Sequence, residues 1–137
     1  MNTHEANLLL SDHTIAEARR IIRQTLSGWK IKDAVIDDMI LACTEGVTNA
    51  ARHGYNFKKD SSIELSFSLE KGLLTISIRD YGKGLNMESY CPPNHAEQPE
   101  GGYGVDLMRR LCHEMTVLGH SPGTEIILKR YIDRELP

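Results

Sequence analysis

Glu45 and Asn49 stand four residues apart in a stretch, about Lys32 to His53, whose apolar residues recur at helical spacing. Residues at i and i+4 are neighbours on a helix surface. At about 100° per residue, both lie roughly opposite the stripe formed by Ile36, Ile40, Cys43 and Val47. A carboxylate and an amide oxygen so placed suit a hydrated magnesium ion, which takes oxygen ligands and keeps several waters, beside a nucleophile. An ordinary solvated helix face has the same pattern. The neighbours Ala42, Gly46, Ala50 and Ala51 are small. Glycine at 46 costs a helix about 1 kcal/mol relative to alanine, which implies close approach by a ligand or by another element.

Two further segments carry chemistry. Asp80-Tyr81-Gly82-Lys83-Gly84 ends an apolar alternating run. An ionised Asp only accepts hydrogen bonds, so it can take a proton from the exocyclic amine of adenine. Glycines without Cβ let backbone pass close to a flat base. A plain turn has the same composition. Gly101-Gly102-Tyr103-Gly104 runs into a helix of about Val105 to Met115. Free N–H groups at a helix N-terminus bind phosphate, although a linker followed by a helix entry reads identically. There is no G-x-x-x-x-G-K-[ST] loop and no G-x-G-x-x-G fingerprint after a strand.

The elements that must position these residues follow from periodicity. Ile15, Ala18, Ile22, Leu26 and Trp29 predict a first helix over 14–29, with Asp12 or Thr14 as its cap. The second helix, 32–53, closes at Gly54. The period then changes to two. Ile63, Leu65, Phe67 and Leu69, then Leu74, Ile76 and Ile78, predict a hairpin turning at Glu70-Lys71-Gly72. Residues 86–100 carry Pro92, Pro93 and Pro99 and read as a loop, either a lid or a disordered segment. Two short strands, near 116–120 and 124–131, turn at Ser121-Pro122-Gly123. Antiparallel pairs with segregated helices predict a two-layer α+β domain, helices on one face of a mostly antiparallel sheet, spanning 1–137 as a single unit.

Composition narrows the function classes. The chain has 137 residues, one domain's worth, with 40% hydrophobic and 26% charged residues. Sixteen cations against 19 anions give a net charge of −3, which makes no basic footprint for nucleic acid. No apolar run approaches the roughly 20 residues of a membrane span. The N-terminal MNTHEANLLLSDH lacks the cations and length of a signal peptide. Cys43, Cys91 and Cys112 have no C-x-x-C spacing, which favours reduced thiols in the cytoplasm. His4, His13, His95, His113 and His120 match no metal spacing. Arg19, Arg20 and Arg23 read as a solvated helix face or a partner-facing patch.

The segment TEGVTNAARHGY, Thr44 to Tyr55, resembles the asparagine box of the GHKL ATPase and kinase superfamily, and its HGY ending is similar to that of bacterial anti-sigma factor serine/threonine kinases. RDYGKGL resembles the first glycine box, GGYGVDLMRRLCHEM the second, and SPGTEIIL the closing Gly-Thr box. The resemblance implies the histidine-kinase-like ATPase fold, with ATP and Mg2+ bound. It implies that Asn49 coordinates the magnesium, that Glu45 is the general base, and that Asp80 takes the adenine amine. Gly82 and Gly84 would shape that wall, Gly102 and Gly104 would frame the phosphates, and Thr124 would lie near the adenine. It implies a cytoplasmic homodimer whose protein partners are a sigma factor, held, and an anti-anti-sigma antagonist, phosphorylated. The loop SYCPPNHAEQPEGG departs from the Phe-Thr-Thr-type stretch of that family and leaves contacts to the γ-phosphate unassigned. That departure motivates an alternative, an ATP-dependent partner-binding module without phosphotransfer. A detached histidine kinase ATPase domain ranks lower, since no helical hairpin bearing a phosphoacceptor His is read ahead of the fold.

Overall fold

The structure is a computed structural model that describes residues 1–59, 61–82 and 102–137. In chain order the elements are β1 (Asn2–Leu9), α1 (Thr14–Gly28), α2 (Asp33–Asn49) running into a π-helical turn (Ala50–Gly54), β2 (Ser62–Glu70), β3 (Leu73–Asp80), α3 (Gly102–Arg110), β4 (Glu114–Gly119) and β5 (Thr124–Tyr131). The five strands form one antiparallel sheet in the order β1-β2-β3-β5-β4. Alternate sheet residues, among them Leu8, Ile63, Leu65, Phe67, Leu74, Ile76, Ile78, Ile126 and Leu128, join α1, α2 and α3 in one buried apolar cluster. This is the expected two-layer α+β arrangement. The hairpin turns where the sequence places it: Glu70 pairs with Leu73, and Lys71 and Gly72 both have positive φ (50° and 78°). Such a two-residue turn matches the right-handed twist of the flanking strands.

The differences from expectation have physical causes. β1 is not predicted by periodicity. It is an edge strand in which only Leu8 is fully buried, so it is held by backbone pairing to β2 and carries no alternating apolar signal. The α1 start has no side-chain cap from Asp12 or Thr14. Thr14 instead turns its hydroxyl back, donating to the Leu9 or Ser11 carbonyl while accepting the Ser11 N–H at 2.7 Å. α2 is buried on more than one stripe, with Val35, Met39, Ala42 and Thr44 joining Ile36, Cys43 and Val47. α3 starts at Gly102, not Val105, and ends at Arg110, so Gly102 and Gly104 belong to its first turn and β4 begins already at Glu114. On α1, Arg20 bonds Glu17 and Gln24, and Arg23 bonds Asp37 at 2.9 Å, as an ordinary exposed helix face would.

Gly46 is explained by packing. A Cβ there would overlap the Ile78 side chain, which is itself in the core. Glycine therefore lets α2 sit close on β3. Gly46→Val is expected to lower unfolding stability by about 1–3 kcal/mol, as overpacking does, read as a lower urea midpoint at unchanged m-value.

No helix among the described residues is long and apolar enough to cross a membrane. Cys43 and Cys112 are free and buried. Burial pushes both thiols up, Cys112 to about 12, so neither is a nucleophile at neutral pH.

Candidate nucleotide site

α2 carries Glu45 and Asn49 towards the first turn of α3. Asn49 is buried, at 8% exposure, and Glu45 is half-buried. A Cβ built on Gly104 would lie 2.7 Å from Oε2 of Glu45 and 3.7 Å from Nδ2 of Asn49. The acid, the amide and the glycine therefore converge, and any side chain at 104 would fill the space in front of the carboxylate. The opening turn of α3 brings backbone N–H groups and the positive end of the helix dipole to the same place. The far end of α3 is anchored. Arg130, buried on β5, donates to the Leu111 carbonyl at 2.8 Å and to Oδ2 of Asp38 on α2 at 3.1 Å.

The π-helical turn continues α2 to the other end of the site. A π turn closes i→i+5 bonds and is frequent at functional sites. It brings Gly54 onto Asp80: a Cβ at 54 would lie 2.6 Å from Oδ1 of Asp80 and 3.1 Å from Oδ2. Gly82 packs on the backbone of Gly54 so closely that a Cβ on it would overlap the Gly54 carbonyl. Asp80 is buried at the end of β3, opposite Thr124, which is also buried. Burial pushes its carboxyl above the usual range, while the N–H groups of Gly82 and Thr124 and the Arg79 guanidinium pull the other way. The Gly82 N–H donates to Oδ1 at 3.0 Å.

The chain thus forms two linked clusters, Glu45–Asn49–Gly104 and Gly54–Asp80–Gly82–Thr124. Gly102 opens α3 beside the first. Gly84, Cys91, His95 and the loop of residues 86–100 lie outside the described residues. The donor set fits a magnesium ion that arrives with a phosphate ligand and its own waters: the Asn49 amide oxygen can serve as the protein ligand, with the Glu45 carboxylate beside it. Among the described residues no group of three or more His, Cys, Asp or Glu makes a metal cage. A buried acceptor at one end and a metal-and-phosphate end at the other suit an adenine nucleotide.

Spacing alone misses three contributors. It reads Gly54 as a helix stop, yet this glycine is the surface against which Asp80 sits. Arg130 carries no motif signal at all. Tyr55 is legible only as part of the HGY ending. Its hydroxyl lies 2.6 Å from both the Ser62 carbonyl oxygen and the Tyr81 amide nitrogen. Burial raises its pKa, which keeps the phenol a donor.

The family model described as the histidine kinase-like ATPase domain matches residues 10–130. The chain is 30% identical over 127 residues to the serine-protein kinase RsbW of Bacillus subtilis, covering 84% of this chain and 79% of that protein. It is 31% identical over 126 residues to the anti-sigma F factor of Geobacillus thermodenitrificans, covering 85% and 86%. Among solved structures, the RsbU and RsbW domains of a Mycobacterium tuberculosis protein match with a TM-score of 0.73 at 20% identity, over 99% of this chain and 34% of that one. The SiaB–SiaC complex of Pseudomonas aeruginosa matches with a TM-score of 0.67 at 16% identity, over 92% and 88%. These two likenesses are of fold.

Proposed function

The chain belongs to the histidine kinase-like ATPase domain family, within its anti-sigma serine-protein kinases, and from that premise we propose how its two clusters divide the work on ATP and a protein hydroxyl. The chain is a protein serine/threonine kinase of the anti-sigma factor type. Asp80 accepts the adenine amine, with Gly54, Gly82 and Thr124 shaping the surrounding wall. Gly102 and Gly104 leave the α3 N–H groups open to the phosphates. Asn49 would hold a magnesium ion, which supplies neutralisation of phosphate charge when bound.

Glu45 is the general base. Its carboxylate takes the proton of the attacking serine hydroxyl as the γ-phosphoryl passes to the serine oxygen and ADP leaves. The observation that carries this reading is the convergence of Glu45 and Asn49 on Gly104 at the start of α3. Phosphoryl transfer needs mainly positioning and charge stabilisation, and this arrangement supplies both.

The substrate in this reading is a small antagonist protein, an anti-anti-sigma factor, and the held partner is a sigma factor. The working form is a cytoplasmic homodimer. A phosphate adds about −1.5 to −2 charges at neutral pH, enough to weaken the antagonist's grip and free the kinase for the sigma factor. The test is a purified chain with Mg2+, γ-labelled ATP and the antagonist. Label on serine or threonine supports the reading. ATP bound without label on any antagonist leaves a nucleotide-gated binding module instead.

Asn49→Ala tests the metal role separately. It is expected to weaken ATP binding about tenfold in magnesium buffer, the equivalent of about 1.4 kcal/mol, and to leave binding in excess chelator unchanged. Equal affinity of variant and parent in magnesium, by calorimetry, would remove Asn49 from the site.

A further inference from the structure

Tyr55 has no part in the chemistry above, yet its hydroxyl occupies a singular place in the sheet. The β2–β3 ladder ends at the pair Ile63 and Asp80. The next pair outward is Ser62 with Tyr81. There the phenol stands between the strands, donating to the Ser62 carbonyl and accepting the Tyr81 N–H, both at 2.6 Å. It therefore satisfies two backbone groups at the point where the strands part, which would otherwise need other partners. The N–H it holds belongs to the residue directly after Asp80. The residue directly before Tyr55 is Gly54, which lies against the Asp80 carboxylate. Two consecutive residues at the end of the π turn thus fix Asp80, one by contact and one through its neighbour's backbone. The Tyr81 side chain is held as well, its hydroxyl donating to Oε2 of Glu64 at 2.8 Å and its ring lying under the Arg79 guanidinium at 4.3 Å.

We propose that Tyr55 is the positioning residue for Asp80, and that by fixing the carboxylate it sets the preference of the site for a 6-aminopurine nucleotide over a 6-oxopurine one. Tyr55 touches no part of the nucleotide in this role. A carboxylate accepts from a 6-amino group but meets an acceptor at a 6-oxo position. The discrimination depends on holding the carboxylate where it cannot turn aside. The inference rests on the Asp80 assignment made under the proposed function.

The experiment is calorimetric titration of the parent, Tyr55→Phe and Asp80→Asn with Mg-ATP and with Mg-ITP. The parent is expected to prefer ATP. Asp80→Asn is expected to lose that preference. Tyr55→Phe, which deletes only the hydroxyl, is expected to lower the ATP-over-ITP ratio by about tenfold, the scale of one lost hydrogen bond. If Tyr55→Phe weakens both nucleotides equally, or changes neither, while Asp80→Asn abolishes selectivity, the Tyr55 role is overturned and the Asp80 assignment stands. If Asp80→Asn keeps the parent's preference, the Asp80 assignment fails and the inference falls with it. Should Tyr55→Phe not fold, amide exchange in the parent decides. ATP is expected to slow exchange of the Tyr81 N–H about tenfold more than that of Leu73 at the other end of β3, and equal slowing overturns the proposal.

Discussion

Glu45→Gln is expected to slow label transfer to the antagonist by about 10²- to 10⁴-fold, the usual contribution of a positioned general base. ATP affinity should stay within about threefold, because the substitution preserves shape and hydrogen-bonding reach and the proposed nucleotide contacts are made by other residues. The side chain is half-buried and faces Gly104, and the amide is isosteric with the carboxylate. Stability should therefore change little. Single-turnover kinetics beside calorimetry separates the two effects. A variant that transfers at the parent rate would show that the hydroxyl proton leaves by another route, and Glu45 would lose its role. A variant that fails to bind ATP would recast Glu45 as part of the binding surface.

Asp80→Asn is expected to separate affinity from stability in opposite directions. ATP binding should weaken by about 10- to 100-fold, as the loss of a charged hydrogen-bond partner predicts. The fold should become no less stable and gain a little at neutral pH. The sign follows from the raised carboxyl pKa of Asp80, caused first by burial. A carboxyl whose folded pKa is raised favours folding when protonated. That contribution is complete below its unfolded pKa, roughly 3.9, and is lost as pH rises through the folded value. At pH 7 the parent therefore carries a buried charge that the amide removes, while the amide oxygen still accepts the Gly82 N–H. Thermal melts at pH 7 should place the variant at or above the parent. A clear fall in Tm would mean that the ionised carboxylate stabilises the apoprotein, contrary to the burial argument.

Much of this is legible in the sequence because burial writes itself into periodicity. The α1 stripe of Ala18, Ile22 and Leu26 is buried as its spacing predicts, and so are the alternating residues of β2 and β3. The Lys71-Gly72 turn is legible because its backbone conformation restricts residue choice. β1 is hidden because an edge strand holds its place by main-chain bonds, to which side chains such as Asn2 and His4 contribute little pattern. The α3 start escapes a reading by propensity because three glycines in four residues argue against a helix, whereas Gly102 and Gly104 lie in a helix turn and Gly104 faces Glu45. The α-to-π change after Asn49 has no signature in composition. The candidate site is legible as separate segments. That Asp80 rests on Gly54, and that Tyr55 fills the gap between two strands, depends on contacts far apart in sequence.

The uninterrupted run from Glu45 to Tyr55 acts as a spacer of fixed length between the Glu45–Asn49–Gly104 cluster and the Asp80 cluster. One residue more or fewer within Ala50–Gly54 would turn everything beyond it by roughly 100° about the helix axis, taking Gly54 off Asp80 and Tyr55 out of the strand gap. The residue count of this segment is thus as constrained as its residue identities. Substitution can tune either end of the site alone, whereas insertion or deletion would uncouple the two.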